Sequence, residues 1–156
     1  MSGCFGCDHK NPAGLGMRFF RDREGRLGAA CTPNNSHGGL GNIVNGGLVA
    51  TFGEELAAAA AGGRGDGGLV VTHLDVKYER PAYIGSEMSG LVTSTAQDKR
   101  AVDVSVDVSS GGQRVAVLTA SFILISEARL RELSGIDLAA APVCLVAARQ
   151  PLPTEG

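Results

Sequence analysis

The densest chemistry in the chain lies between positions 45 and 54, where Asn45-Gly46-Gly47 opens a helix-forming run and Glu54 stands about two turns further on. Asn is among the best residues for a helix N-cap, because its side-chain oxygen accepts from a first-turn amide, here that of Gly47 or Leu48. Amides at a helix start have no intrahelical partner and lie at the positive end of the macrodipole. Without side chains at 46 and 47, a ligand can come close to them. Such amides stabilise a carbonyl oxygen that gains negative charge during acyl transfer. Gly46 and Gly47 are therefore candidate carbonyl-binding groups, Asn45 is the catalytic-site candidate that caps them, and Glu54 is the candidate acid or base.

The element that must position them is the run LVATFGEELAAAAA at 48–61, of high helix propensity despite Gly53 and ended by the glycine-rich stretch 62–68. At about 100° per residue, Leu48, Val49, Phe52 and Leu56 form an apolar stripe expected to face a sheet. Glu54 falls on the opposite side among Gly47, Ala50, Thr51, Ala58 and Ala61, all small. That face lets a second helix or a slender acyl chain approach, which makes Gly47 and Thr51 candidate substrate contacts. A helix Glu is ordinarily a solvated surface residue. The conjunction of a Gly-Gly start, an acid on the same face and small residues between them argues for a chemical role instead. Glu55, at the edge of the Phe52 stripe, is the reserve carboxylate.

Around this helix the pattern reads as strands. Residues 17–20 and 27–31 flank the polar turn 21–25 as a short hairpin, and 32–41 is a loop containing His37. After the helix come strand-like runs at 69–78, 87–96, 101–109 and 114–125. Strict alternation of Val with Asp or Ser in AVDVSVDVSS marks a strand with one buried and one wet face, and Ser110-Gly111-Gly112-Gln113 makes a hairpin. Two strands, one long helix and four strands fit an α+β fold, an antiparallel sheet wrapped around a central helix. Residues 1–15 read as an irregular cap, EARLRELSGIDL as a short amphipathic helix, and the remainder to 156 as a loosely held tail.

A chain of 156 residues suits one domain, and its net charge of −2 supplies no basic field for nucleic acid or anionic lipid. No apolar run is long enough to span a bilayer and the first residues do not form a signal peptide, so a soluble cytoplasmic protein is expected. Four cysteines, Cys4, Cys7, Cys31 and Cys144, are accordingly read as thiols. Cys4-x2-Cys7 with His9 and Cys31 invites a zinc reading, but one C-x2-C without a second pair is weak, and the expectation is no metal. His73 and Asp75 share a strand face, yet no Ser nucleophile stands beside them, which disfavours a triad hydrolase. With 4% aromatic residues and no Trp, the core is short of large anchors, and burial shared with another subunit would help.

IVNGGLVATFGEELAAAA resembles the IVHGG…D/E helix of the hotdog acyl-CoA thioesterases, especially the PaaI-like branch of the hydroxybenzoyl-CoA thioesterase superfamily. Cys4-Phe5-Gly6-Cys7 with Asn11-Pro12-Ala13-Gly14-Leu15 resembles the CFxCG…NPxGL signature of one subset. His37 matches a residue often found eight positions before the motif, which makes it a candidate substrate contact, and Val76-Lys77-Tyr78-Glu79-Arg80-Pro81 with Gly85 is similar to the VxYxRP…G segment. The tripeptide His37-Gly38-Gly39 is a decoy, since Gly46 stands where the acid should be. The resemblance covers about residues 4–126 and implies a hotdog domain at 1–126 with an appended 127–156. It also implies a homodimer or tetramer that binds the thioester between subunits, and no cofactor. By the same likeness Glu54 is the catalytic acid and Gly46 carries the oxyanion-binding amide; Lys77 and Arg80, by their charge, are either contacts for CoA phosphates or a solvated strand end. Asn45 departs from the family's His.

The activity so implied is hydrolysis of an acyl-CoA or acyl-carrier thioester, with Glu54 as general base or nucleophile. Gly47 and Glu54 lie about 10 Å apart along one helix; antiparallel helices in a dimer would bring Glu54 of one subunit to Gly46 of the other. A hotdog hydratase or dehydratase, or a non-catalytic acyl-thioester binder, is the alternative.

Overall fold

Val102, Val104, Val106 and Val108 are fully buried while the residues between them are half-buried or exposed, so the strict alternation becomes the middle of a curved antiparallel sheet. The computed structural model describes residues 3–65, 67–140 and 147–155. Its strands are β1 (Arg18–Arg21), β2 (Leu27–Cys31), β3 (Gly68–Tyr78), β4 (Met88–Asp98), β5 (Ala101–Ser110) and β6 (Gln113–Ile125). They lie in the order β1-β2-β4-β5-β6-β3, each neighbour antiparallel. Gly111 and Gly112, at φ 58° and 77°, supply the two left-handed residues of the tight β5–β6 turn.

The long helix α1 spans Gly46–Gly62, two residues earlier and one later than its propensity predicts. It packs through Val49, Phe52 and Leu56, all buried. Burying one such side chain contributes about 1.5–3 kcal/mol, which makes the stripe the main tie between helix and sheet. Gly53 is part of that tie. A Cβ there would fall 1.7 Å from Cδ2 of the buried Leu118, so the absent side chain lets α1 settle on β6.

The small-residue face of α1 is less open than expected. Ala61, expected beside Glu54, is fully buried, as are Ala57 and Ala59. Its end of the helix carries the C-terminal segment. Arg149 donates to the carbonyls of Gly62 (2.8 Å), Gly65 and Gly67, placing a cation at the negative end of the helix dipole. Arg21 N–H donates to Pro153 O and Glu155 N–H to Arg21 O, each at 2.8 Å, along the edge of β1. Residues 147–155, expected as a loose tail, are thus docked. Backbone hydrogen bonds and three arginines hold them, since Arg21 also donates to Ala148 O and Arg18 to Glu155, each at 3.3 Å, and none of these leaves a periodic signature.

The short helix expected after β6 is α2 (Glu127–Ser134), capped by Ser126 and ended by Gly135 in the left-handed region. At the other end, the cap at 3–15 is a series of turns tied down by Leu15 N–H to Phe5 O and Met17 N–H to Gly6 O, each 2.8 Å. It rests on α1: a Cβ at Gly6 would lie 2.7 Å from Cδ of Glu55. Cys4, Cys7 and Cys31 are present as thiols, and Cys144 lies outside the described residues. No helix among the described residues is long and apolar enough to cross a membrane.

Candidate active site

The first turn of α1 divides its amides unequally. Asn45 is the N-cap, and its Oδ1 accepts from Gly47 N–H at 2.8 Å. Leu48 and Val49 N–H donate to the Asn45 carbonyl at 2.9 and 3.2 Å. Among the described residues Gly46 N–H has no acceptor, and Gly46 is exposed. One donor at the positive end of a 17-residue helix is therefore open to a ligand.

A surface cavity of about 370 Å³ adjoins this turn, with Ile43, Gly46, Val49, Tyr78, Arg80 and Pro81 in its wall. Tyr78, the last residue of β3, donates its phenol to Gly46 O at 2.7 Å. Arg80 donates to Arg114 O at 3.2 Å, and Arg114 grips Glu79 through two bonds of 3.0 and 3.1 Å. Arg114 holds the Glu79 carboxyl below the usual carboxylate range, and the ion pair pins the end of β3 beside the helix start.

Glu54 lies eight residues on from Gly46, about 12 Å along the axis. Its side chain is half-buried and makes no hydrogen bond among the described residues. Burial pushes its carboxyl above the usual range, and the neighbouring Cys4 of the N-terminal cap adds to the rise. A carboxyl so placed is ready to hold a proton or, once ionised, to act as a poorly solvated base.

The other sequence candidates divide by position. Thr51 sits on the Gly47 side, but its hydroxyl donates to Gly47 O at 2.9 Å, one turn back. Lys77 alternates with Tyr78 and so lies on the outer face of the sheet, away from Gly46. His37 is 2% exposed, at the end of a short 3₁₀ turn. Its Nδ1 accepts from Asn34 N–H at 3.0 Å and its Nε2 lies 3.3 Å from Ala13 O, which puts the proton of a neutral ring on Nε2. The His37 carbonyl accepts from Asn45 N–H at 3.0 Å. Within one chain His37 braces the helix start against the N-terminal cap, and its ring is not offered to a ligand. Among the described residues no three His, Cys, Asp or Glu side chains gather as a metal would require.

Two residues of the site, Cys4 and Tyr78, appear in sequence motifs but were not assigned to this site from sequence. Cys4 reaches Glu54 only through the tertiary docking of the cap. Tyr78 carried a signal: it alternates in phase with Val76, whose partner Leu118 packs under α1, so it had to face the helix.

A six-stranded antiparallel sheet curved around one central helix is the architecture of a hotdog domain. Residues 41–117 match the family described as Thioesterase superfamily, a match that supports thioester hydrolysis as the class of activity. Among solved structures it is similar to a mutant of the phenylacetic acid degradation protein PaaI from Thermus thermophilus. That match has 22% identity and TM-score 0.63, and it covers 71% of this chain and 95% of the other. The E. coli PaaI protein aligns at 15% identity with TM-score 0.61, over 72% and 81% of the two chains. A Bacillus halodurans protein solved with CoA aligns at 21% identity with TM-score 0.60, over 69% and 71%. No curated protein matches the chain.

Proposed function

We propose that the chain hydrolyses an acyl thioester of CoA, or of an acyl-carrier protein, to the free acid and thiol. The Gly46 amide polarises the thioester carbonyl. Glu54 either activates a water as general base or attacks directly to give a mixed anhydride. The observation that carries this reading is that, among the described residues, Gly46 N–H alone in the first turn lacks a partner, because Asn45 has taken Gly47 N–H and the Asn45 carbonyl the next two. Asn45 thus does the capping work that leaves one amide for the substrate. CoA bound to a protein of the same fold favours the CoA ester over the carrier.

The reading includes a homodimer. Within one chain Gly46 and Glu54 are too far apart to meet one carbonyl carbon. Among the described residues β3 pairs only with β6, and the strand carries exposed Val70, Val71, Leu74 and Tyr78. Two such strands in antiparallel register would lay the helices of two subunits side by side with Gly46 of one toward Glu54 of the other. In this arrangement residues 1–126 are the catalytic unit, Gly47 and Thr51 flank the acyl group, and Arg80 is the cation closest to hand for a CoA phosphate.

Thiol release from a panel of acyl-CoAs tests the activity, and two variants test the assignment. Pro is tolerated at the first position of a helix, and Asn45 at ψ 129° suits a following Pro. Gly46→Pro therefore deletes the one unpartnered amide and no structural bond, and kcat should fall about 10²–10³-fold with the fold intact. Glu54→Gln should abolish most turnover. Hydrolysis at the wild-type rate by either folded variant sinks the corresponding role.

A further inference from the structure

Tyr78 is the last residue of β3, 32 positions from the helix start, and the hydrolytic reading gives it no task. Its phenol donates to Gly46 O at 2.7 Å, and its ring carbons and oxygen lie 3.6 Å from where a Cβ on Gly46 would be. Gly46 O and Gly47 N–H belong to one peptide group. The other end of that group is held by Asn45 Oδ1 at 2.8 Å. The Gly46–Gly47 peptide is therefore gripped at its oxygen by Tyr78 and at its nitrogen by Asn45.

We infer that Tyr78 is a positioning residue: with Asn45 it clamps the Gly46–Gly47 peptide, and so fixes the direction in which the neighbouring Gly46 N–H meets the developing oxyanion. The need for a clamp follows from the sequence. Two successive glycines give the tightest approach to a ligand and the loosest backbone, and an oxyanion donor acts only if it is already aimed at the transition-state oxygen. Donation to the oxygen of a peptide also polarises its N–H, so the Tyr78 and Asn45 bonds strengthen each other. The strand end that delivers Tyr78 is itself fixed, since Arg114 holds the adjacent Glu79 by two hydrogen bonds.

The proposal rests on the hydrolytic reading for its effect on rate, but not for the clamp itself. Tyr78→Phe keeps the ring and removes the donor. We expect kcat to fall about tenfold with KM within about twofold, since the loss is of transition-state alignment. Thermal stability and subunit mass should stay near wild type. Joined to Asn45→Ala, it should cost less than the product of the two single losses, because both hold one peptide. In nuclear magnetic resonance spectra of the variant, the Gly47 amide should shift upfield and exchange faster as its peptide loses polarisation. Unchanged kcat in Tyr78→Phe, with Glu54→Gln inactive, overturns the inference and leaves the hydrolytic reading standing. If no acyl thioester is hydrolysed by the wild type, that reading fails instead, and an unmoved Gly47 amide would still overturn the clamp.

Discussion

Glu54 is held where folding alone would not put it. Its carboxyl is raised above its ordinary value of 4.5 by burial, which means the folded chain keeps a proton that the unfolded chain has released. As pH rises from 4.5 through the higher folded value, stability is lost across that window and is not regained above it. Glu54→Gln, which cannot ionise, should therefore melt at a higher temperature than wild type at about pH 7 to 8, and the advantage should vanish below about pH 4.5. Thermal denaturation across that range checks it, and coincident melting curves at every pH would mean that the carboxyl is not desolvated. A variant more stable and less active is the signature of a group kept for chemistry. At this scale local signals were readable and distant ones were not. The Asn45 cap is written in consecutive residues. The burial of His37, by contrast, depends on Ala13, 24 positions away, and the neighbourhood of Glu54 depends on how the cap docks.

Gly53 marks where element-level reading runs short. Taken as a helix residue, it is a defect, since Ala is better by about 1 kcal/mol in a helix interior. In the fold it is a contact, because a Cβ would stand 1.7 Å from Cδ2 of Leu118, which is buried and has no room to turn aside. Gly53→Ala should therefore be net destabilising by about 1–2 kcal/mol, overpacking outweighing propensity. A denaturant titration that finds it more stable would show α1 free to lift from β6. The strands were legible because alternation is a local property, and all six lie within a few residues of their expected positions. What alternation could not give is the bulge at Thr72. By inserting one residue, it puts Leu69 and Val71 on the same inner face as Leu74, Val76 and Tyr78. Without that phase shift Tyr78 and Val71 would face opposite sides of the sheet, and the clamp and the exposed strip could not belong to one surface.

For the whole molecule the question is what covers that strip. Val71 and Leu74 remain 44% and 37% exposed although they point to the same face as the core residues of β5 and β6, because α1 lies chiefly over those strands and covers β3 only in part. A second copy seated there would add its own helix to the uncovered face, and antiparallel helices would pair the start of one with the middle of the other. The arrangement makes a prediction about subunits that no single variant can test. Gly46→Pro and Glu54→Gln chains are each expected to be inactive as pure dimers. In a mixed dimer, one site brings the two substituted positions together and is dead; the other joins an intact Gly46 to an intact Glu54 from the opposite subunit and is wild type. Random reassortment of equal amounts should recover about one quarter of wild-type activity. The recovery should appear only after the dimers are dissociated and allowed to re-form, which mass analysis of the mixture can follow. If both groups served from one chain, the mixture would stay as inactive as its components however completely the subunits exchanged.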